Sequence, residues 1–160
     1  MHRYNAPRSV ITPRGFTLLE LMLVVTVGAI LVMVGTPAYQ GYAMRGKIAR
    51  AIADMTRIDA AIERFRINND FPPTSLSEVI NPVPKDPWGR DFHYLALIPK
   101  TKGSQGACRK DHKLNPLNTD YDLFSAGADG QYKTQITHKL SQDDIVRAND
   151  GAFVGIGADY

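Results

Sequence analysis

One run of twenty residues near the N-terminus limits what this chain can fold into more than any other feature. From Phe16 to Gly35 every residue is apolar, Gly or Thr, except Glu20. A helix of that length rises about 30 Å, which matches the hydrocarbon core of a bilayer. The run therefore predicts a membrane-spanning helix. Because an ionisable side chain inside such a span is costly, the run also predicts a partner for Glu20.

The segment before this run, residues 1–15, contains three arginines and no acidic residue. Basic flanks stay in the cytoplasm, so the N-terminus is expected to be cytoplasmic and the rest of the chain exported. At the end of the apolar run, Val34-Gly35-Thr36 is followed immediately by Pro37, so this segment is a poor cleavage site for a conventional signal peptidase. Gly15 stands in front of the run, and cleavage after it keeps the span in the mature protein.

The residues around this glycine carry a family resemblance. Behind the basic leader, the stretch Gly15-Phe16-Thr17-Leu18-Leu19-Glu20-Leu21-Met22 resembles the class III signal of type IV pilins and of the pseudopilins of type II secretion. In that family a prepilin peptidase cleaves after the glycine and methylates the new N-terminal residue, here Phe16. The resemblance also aligns the family's glutamate with Glu20 and its helix-kinking proline with Pro37. An ordinary membrane anchor with a chance Gly-Phe-Thr is the alternative.

Cleavage after Gly15 gives Glu20 a physical role. It creates an α-amino group on Phe16, which is cationic at neutral pH. The Glu20 carboxylate of one copy can pair with this amine of a neighbouring copy inside apolar surroundings. Because buried charges are tolerated only when paired, such a pair specifies the axial register between helices. A catalytic or ion-binding role is disfavoured, since Thr17 and Thr26 are the other polar side chains nearby.

Composition limits the function classes that remain. A chain of 160 residues accommodates one exported domain besides the membrane helix. Of the 19 Lys and Arg residues three lie in the leader, which leaves 16 against 16 Asp and Glu residues, so no nucleic-acid partner is expected. Cys108 is the single cysteine and cannot form an intramolecular disulfide. The histidines lack zinc-ligand spacing, and neither a nucleophile elbow nor a phosphate loop occurs, so we expect no enzyme.

The residues that follow the span predict a second, amphipathic part of the same helix. Apolar residues recur at three- and four-residue spacing and predict one buried stripe over residues 37–68: Ile48, Ile52, Met55, Ile58, Ile62 and Phe65. Pro37, with Gly41 and Gly46 close behind it, is expected to bend or loosen the helix. The second half of the stripe is expected to pack on the protein's own sheet.

Residues 69–160 predict a β-rich globular domain. A short helix at 76–80 is followed by three segments of aromatic and branched residues that predict strands: Phe92–Ile98, Tyr121–Ser125 and Ala152–Ile156. The polar segment Lys100–Asn118 is predicted to be a hairpin loop. The expected fold class is α+β, a long N-terminal helix that spans the membrane over 16–36 and packs beyond it on a small antiparallel sheet.

A second resemblance covers parts of this domain. Three stretches resemble the signatures of the major pseudopilins of type II secretion: Val83–Phe92, Tyr121–Gly130 and Asp143-Asp144-Ile145. The segment Thr101–Asn118 and the tail Val146–Tyr160 are longer than that resemblance implies.

The resemblance implies a structural calcium ion in the loop after Tyr121–Ser125. Asp129, Asp143 and Asp144 would supply carboxylates, and Ala126 and Gln131 backbone carbonyls, which are the oxygens that calcium prefers. Thirteen residues separate Asp129 from Asp143, more than the family spacing. The alternative is that Asp129-Gly130 is a turn and that Asp143 is a helix N-cap.

Taken with the resemblance, these patterns predict a structural subunit of a periplasmic pseudopilus that drives protein export by type II secretion. The alternatives are a subunit of a type IV pilus serving adhesion, motility or DNA uptake, and a membrane-anchored binding module that never polymerises. The resemblance implies an inner-membrane protein with a periplasmic C-terminal domain that forms a homopolymer. Its implied partners are minor pseudopilins or pilins, the prepilin peptidase, an inner-membrane assembly platform and a cytoplasmic ATPase.

Overall fold

The structure, a computed structural model, describes residues 15–99 and 106–160. The predicted leader up to residue 14 and residues 100–105 of the predicted loop lie outside the described residues. Within them the chain forms one α-helix and four strands: α1 (Leu18–Asn69), β1 (His93–Ala96), β2 (Tyr121–Ser125), β3 (Ile145–Ala148) and β4 (Phe153–Ile156). By its internal contacts the chain divides into two compact units, Met1–Gly41 and Tyr42–Tyr160.

Helix α1 includes Pro37, Gly41 and Gly46, and the predicted bend or loosening at these residues stays a prediction. It ends one residue beyond the predicted end. The stop is made by Asp70, whose φ of 63° leaves the helical region. Its N–H still donates to the Arg66 carbonyl at 2.8 Å. The short helix predicted at 76–80 is a single 3₁₀ turn over Leu76–Glu78.

The four strands form one antiparallel sheet in the order β1-β2-β3-β4. Three of them were predicted, but β3 was missed. The charged Arg147 breaks the pattern of branched apolar residues in Ile145-Val146-Arg147-Ala148, so this segment does not match the sequence pattern of a strand. A turn at 149–152 joins β3 to β4, so the predicted tail is a β-hairpin.

Both faces of this sheet are covered. One face packs against the second part of α1, where Met55, Ile58 and Ile62 are fully buried in a cluster with Tyr121 and Ile145. The other face holds a smaller cluster of Phe124, Val146, Ala148, Leu117 and Ile136. The long helix on an antiparallel sheet confirms the predicted α+β fold class.

The second cluster corrects the prediction for the segment before β2. The described part of the predicted hairpin loop, residues 106–118, lies against the segment after β2. The Lys110 N–H donates to the Thr134 carbonyl at 2.9 Å, and the Ile136 N–H donates to the Lys110 carbonyl at 3.0 Å. Polar composition predicted a hairpin loop, whereas these residues pair at Lys110 with the segment after β2, and Leu117 is buried in the second cluster.

Candidate functional site

The first candidate site is the start of α1. Gly15 and Phe16 precede the helix and are exposed, Phe16 by 78%. The Thr17 hydroxyl accepts a hydrogen bond from the Glu20 N–H at 3.2 Å, so Thr17 caps the first turn. Thr and Glu three residues apart are the pattern of a capping box. The sequence therefore starts the helix directly behind the predicted cleavage point and places Glu20 in its first turn.

The second feature of this end is its uncovered apolar surface. All described side chains between Phe16 and Pro37 are exposed within the chain. Among the residues that the structure describes, α1 is the one helix long and apolar enough to cross a membrane. Such a surface is stable only in lipid or against other apolar helices. Glu20 is the sole charged residue in it, and no ion pair of its side chain occurs within the described residues.

The second candidate site is the loop from Ala126 to Asp144, where calcium ligands were predicted. It begins with a tight turn, in which Gly127 and Gly130 have φ values of 60° and 71°. A side chain at Gly127 would lie 2.3 Å from the Asp143 carbonyl oxygen, so only glycine fits that close approach. The Ala126 carbonyl accepts the Gly130 N–H at 3.0 Å and closes the turn.

Asp129 and Asp143 are brought together by this turn. Asp143 Oδ2 accepts the N–H groups of Ala128 and Asp129 at 2.8 and 3.0 Å. Asp129 Oδ1 accepts a hydrogen bond from the Gln131 N–H at 2.7 Å. Gln131 itself is an exposed residue. Both carboxylates therefore act as acceptors for backbone donors of the turn, Asp129 locally as in an Asx turn and Asp143 from the other end of the loop.

Asp144 lies apart from these two and is fully buried. Its Oδ2 pairs with the Arg109 Nη2 at 2.7 Å, and its Oδ1 has no hydrogen-bond partner among the described residues. Burial raises the pKa of Asp144 to about 6, although Arg109 favours the charged form. Arg109, which the sequence analysis did not single out, is 2% exposed.

The predicted calcium ligands have hydrogen-bond partners within the chain. Calcium prefers six to eight oxygens at 2.3–2.6 Å. Three of the predicted ligands each have one carboxylate oxygen that accepts a hydrogen bond from another group of the chain: Asp129, Asp143 and Asp144. No group of three His, Cys, Asp or Glu side chains converges as a metal site within the described ranges 15–99 and 106–160. The calcium ligand set stays a prediction that these contacts do not test.

A third cluster ties the sheet to α1 and was also missed from sequence. The Arg147 guanidinium, almost completely buried, pairs with Asp59 at 2.5 Å and with both oxygens of Asp120 at 2.8 and 2.9 Å. It lies 3.9 Å above the centre of the Tyr121 ring. The Tyr121 hydroxyl donates to Asp59 at 2.6 Å and to Glu63 at 3.1 Å. Burial and the hydrogen bond to Asp59 raise the pKa of Tyr121.

His93 lies beside the Arg109 site. Its ring stacks on Phe124 with 4.7 Å between centroids. Burial, and then the positive charge of Arg109, lowers the pKa of His93, while Asp86 and Asp91 act in the opposite direction. The stacked ring therefore serves as an aromatic packing partner.

Comparison with known proteins gives the following similarities. Residues 13–36 match the family model of the prokaryotic N-terminal methylation motif. The type II secretion system core protein G of Pseudomonas aeruginosa is 31% identical over 138 residues, which cover 73% of this chain and 84% of the relative. The protein of the same name from Vibrio cholerae is 29% identical, covering 73% and 82%. A type IV major pilin of Neisseria gonorrhoeae is 33% identical, but the match covers 48% of this chain and 47% of that protein.

Proposed function

The chain belongs to the family of the type II secretion system core protein G, and from this we propose how its residues serve the pseudopilus of that system. It is a structural subunit, and assembly is its function. Copies of the mature chain pack the apolar half of α1 against one another in a periplasmic filament. Growth of that filament moves exported proteins outward.

The observation that carries this proposal is the exposed apolar first part of α1 with a single charge in it. A simple anchor has no use for a carboxylate at that depth, because burying it unpaired is costly. Glu20 lies in the turn that follows Phe16. Pairing of its carboxylate with the Phe16 amine of the next copy makes the charge specific for one register in a polymer.

Topology and partners follow from the same premise. The arginines of residues 1–15 favour a cytoplasmic N-terminus in the inner membrane, with the second unit in the periplasm. A prepilin peptidase cleaves after Gly15 and methylates Phe16. An inner-membrane assembly platform and a cytoplasmic ATPase then add subunits, and minor pseudopilins join the same filament.

A type IV pilus subunit is the second candidate, and the similarity to the gonococcal pilin favours it. That match covers less than half of each chain, whereas the similarity to core protein G extends over about three quarters of this one. The pseudopilus is therefore the better supported function.

Processing is tested on the chain in its membrane. Mass spectrometry of the membrane fraction from cells with a prepilin peptidase is expected to show a chain that begins at methyl-Phe16. Cells without the peptidase are expected to keep the precursor. An intact leader in the first sample, or cleavage behind Gly35, would contradict the proposal.

Function is tested by complementation. In a type II secretion strain that lacks its own core protein G, this chain is expected to restore export of the secreted enzymes. In a strain that lacks its major type IV pilin, it is expected not to restore surface pili. The reverse pattern would assign the chain to a pilus.

A further inference from the structure

The loop between Ala126 and Asp144 is held by positively charged groups of the chain itself. Arg109 reaches it from the segment before β2. Its Nη2 pairs with Asp144 at 2.7 Å, and its Nη1 donates to the Lys133 carbonyl at 2.9 Å. The guanidinium also lies 4.3 Å above the centre of the Phe124 ring, so an aromatic face shields it from solvent. One buried cation thus binds both the middle and the end of the loop.

A second arginine binds the start of the loop. Arg90 Nη1 donates to the Gly127 carbonyl at 2.7 Å, and Nη2 donates to the Ala128 carbonyl at 3.3 Å. A Cβ at Gly130 would lie 2.6 Å from the Arg90 Cζ, so the absence of a side chain there makes room for the guanidinium. The turn before β1 positions Arg90, because its N–H donates to Asp86 at 2.8 Å.

Asp86 connects this arginine to the sheet as well. Its second oxygen accepts the Ser125 hydroxyl at 2.7 Å, at the point where β2 ends and the loop begins. Arg90 therefore approaches the loop from a turn that is itself fixed to β2. The carbonyl oxygens that it binds, those of Gly127 and Ala128, are of the kind that a bound calcium ion would otherwise use.

The segment that carries Arg109 is paired with the loop along its backbone. Lys110 exchanges hydrogen bonds with Thr134 and Ile136, directly beside the Arg109 contacts. The Arg109 N–H donates to the buried Asp122 at 2.6 Å, which anchors the segment on β2. The segment before β2 therefore contacts the loop between Asp129 and Asp143, and each of these two stretches is longer than the family resemblance implies.

We propose that Arg109 and Arg90 supply the positive charge that holds the Ala126–Asp144 loop, so that this loop folds without a bound divalent cation. Arg109 neutralises Asp144, the buried carboxylate of the loop. The backbone N–H groups of the turn donate to the other two carboxylates of the loop, those of Asp129 and Asp143. This inference concerns stability and holds whether the chain assembles into a pseudopilus or a pilus.

The first test uses the full mature chain in detergent micelles. Trp88 is the single tryptophan and packs beside the main core cluster, so its fluorescence reports unfolding of the globular unit. The melting temperature in excess EGTA is expected to equal that in about 1 mM calcium chloride. A site with a dissociation constant of about 10 μM would instead raise it by roughly 5 °C or more in calcium. Such a rise, abolished by Asp144→Asn, would overturn the proposal.

The second test removes the buried cation. Arg109→Met keeps the length and the apolar stem but leaves the Asp144 carboxylate buried and unpaired, so the melting temperature is expected to fall on the order of 10 °C, with or without calcium. Lys113→Met is the matched control, because it removes an exposed positive charge from the same segment. It is expected to change the melting temperature by about 1 °C or less.

A third variant keeps the proposal falsifiable if Arg109→Met does not fold. In the double variant Arg109→Met with Asp144→Asn no unpaired charge remains, and most of the lost stability is expected to return. Arg90→Met is expected to lower the melting temperature less, because Arg90 is half-buried and its acceptors are neutral carbonyls. A wild-type melting temperature in Arg109→Met would show that the guanidinium does not hold the loop.

Discussion

The two units of this chain handle apolar and charged side chains in opposite ways, although α1 runs through both. In the first unit the apolar side chains from Leu18 to Val34 are exposed, and the one charged residue among them has no ion pair among the described residues. In the second unit the apolar stripe of α1 is buried against the sheet. Its buried arginines, Arg109 and Arg147, each pair with carboxylates of the same chain.

The two halves of α1 therefore differ in where their packing partners come from. The second half finds its partners within the chain, so its stability is an intramolecular property. The first half is exposed among the described residues, and an apolar surface of that kind is stable only in lipid or against other apolar helices. A charge change in the first unit should therefore act on assembly and spare the fold, whereas a charge change in the second should act on the fold.

The largest effect is expected for Glu20→Gln, which keeps the side-chain size and removes the charge. The Phe16 amine of the next copy then lies unpaired in apolar surroundings, at a cost of roughly 3–5 kcal/mol per subunit. Sheared filaments from overexpressing cells are expected to fall more than tenfold on immunoblots. The amount of protein in the membrane fraction should be unchanged, because an uncharged span inserts at least as well.

Thr26→Val is the control for this variant, since it changes a polar side chain in the same span without a charge. It is expected to form filaments normally. Normal filaments from Glu20→Gln would contradict the proposed difference between the two units, because the carboxylate would then have no role in the axial register between helices.

An intermediate effect is expected for Arg147→Met in the second unit. The change leaves Asp59 and Asp120 without their buried cation, and loss of one partner of a buried pair costs roughly 3–5 kcal/mol. Chemical denaturation of the full mature chain in detergent is expected to show a loss of this size. Arg57→Met, an exposed position on the same helix, should cost less than about 0.5 kcal/mol. Equal losses in the two variants would show that the Arg147 cluster does not join sheet and helix energetically.

The smallest effect is expected for pH and concerns His93. Burial lowers the pKa of His93 in the folded state, so between that value and about 6.5 the unfolded chain binds more protons. The contribution of His93 to stability is therefore expected to fall as the pH drops through this window, whereas Asp144, whose pKa burial raises to about 6, acts in the opposite direction. His93→Phe keeps the ring that stacks on Phe124 and should remove this contribution from the profile, whereas the exposed His112→Gln should not. An unchanged profile in His93→Phe would assign the dependence to other groups.

The long helix could be predicted because its side-chain periodicity depends on neighbours in the chain, whereas its Thr17 cap was not predicted. The three- and four-residue spacing of Met55, Ile58 and Ile62 is a local pattern, and these residues are buried as that pattern indicates. Strands β1, β2 and β4 were found for the same reason. Strand β3 was missed because Arg147 breaks its apolar pattern, and nothing local shows that Asp59 and Asp120 compensate that charge.

By itself, the sequence determined the long apolar part of the helix, the position of Glu20 four residues behind Phe16, and the α+β class, because helix length and side-chain periodicity are properties of consecutive residues. Only the tertiary structure decided which charges meet. Arg109 and Asp144 are 35 residues apart, and Arg147 and Asp59 are 88 apart, so no spacing rule could pair them. Packing of α1 on the sheet brings Asp59 to Arg147, and pairing of the segment before β2 with the loop after β2 brings Arg109 to Asp144. Burial then requires each charge to have a partner.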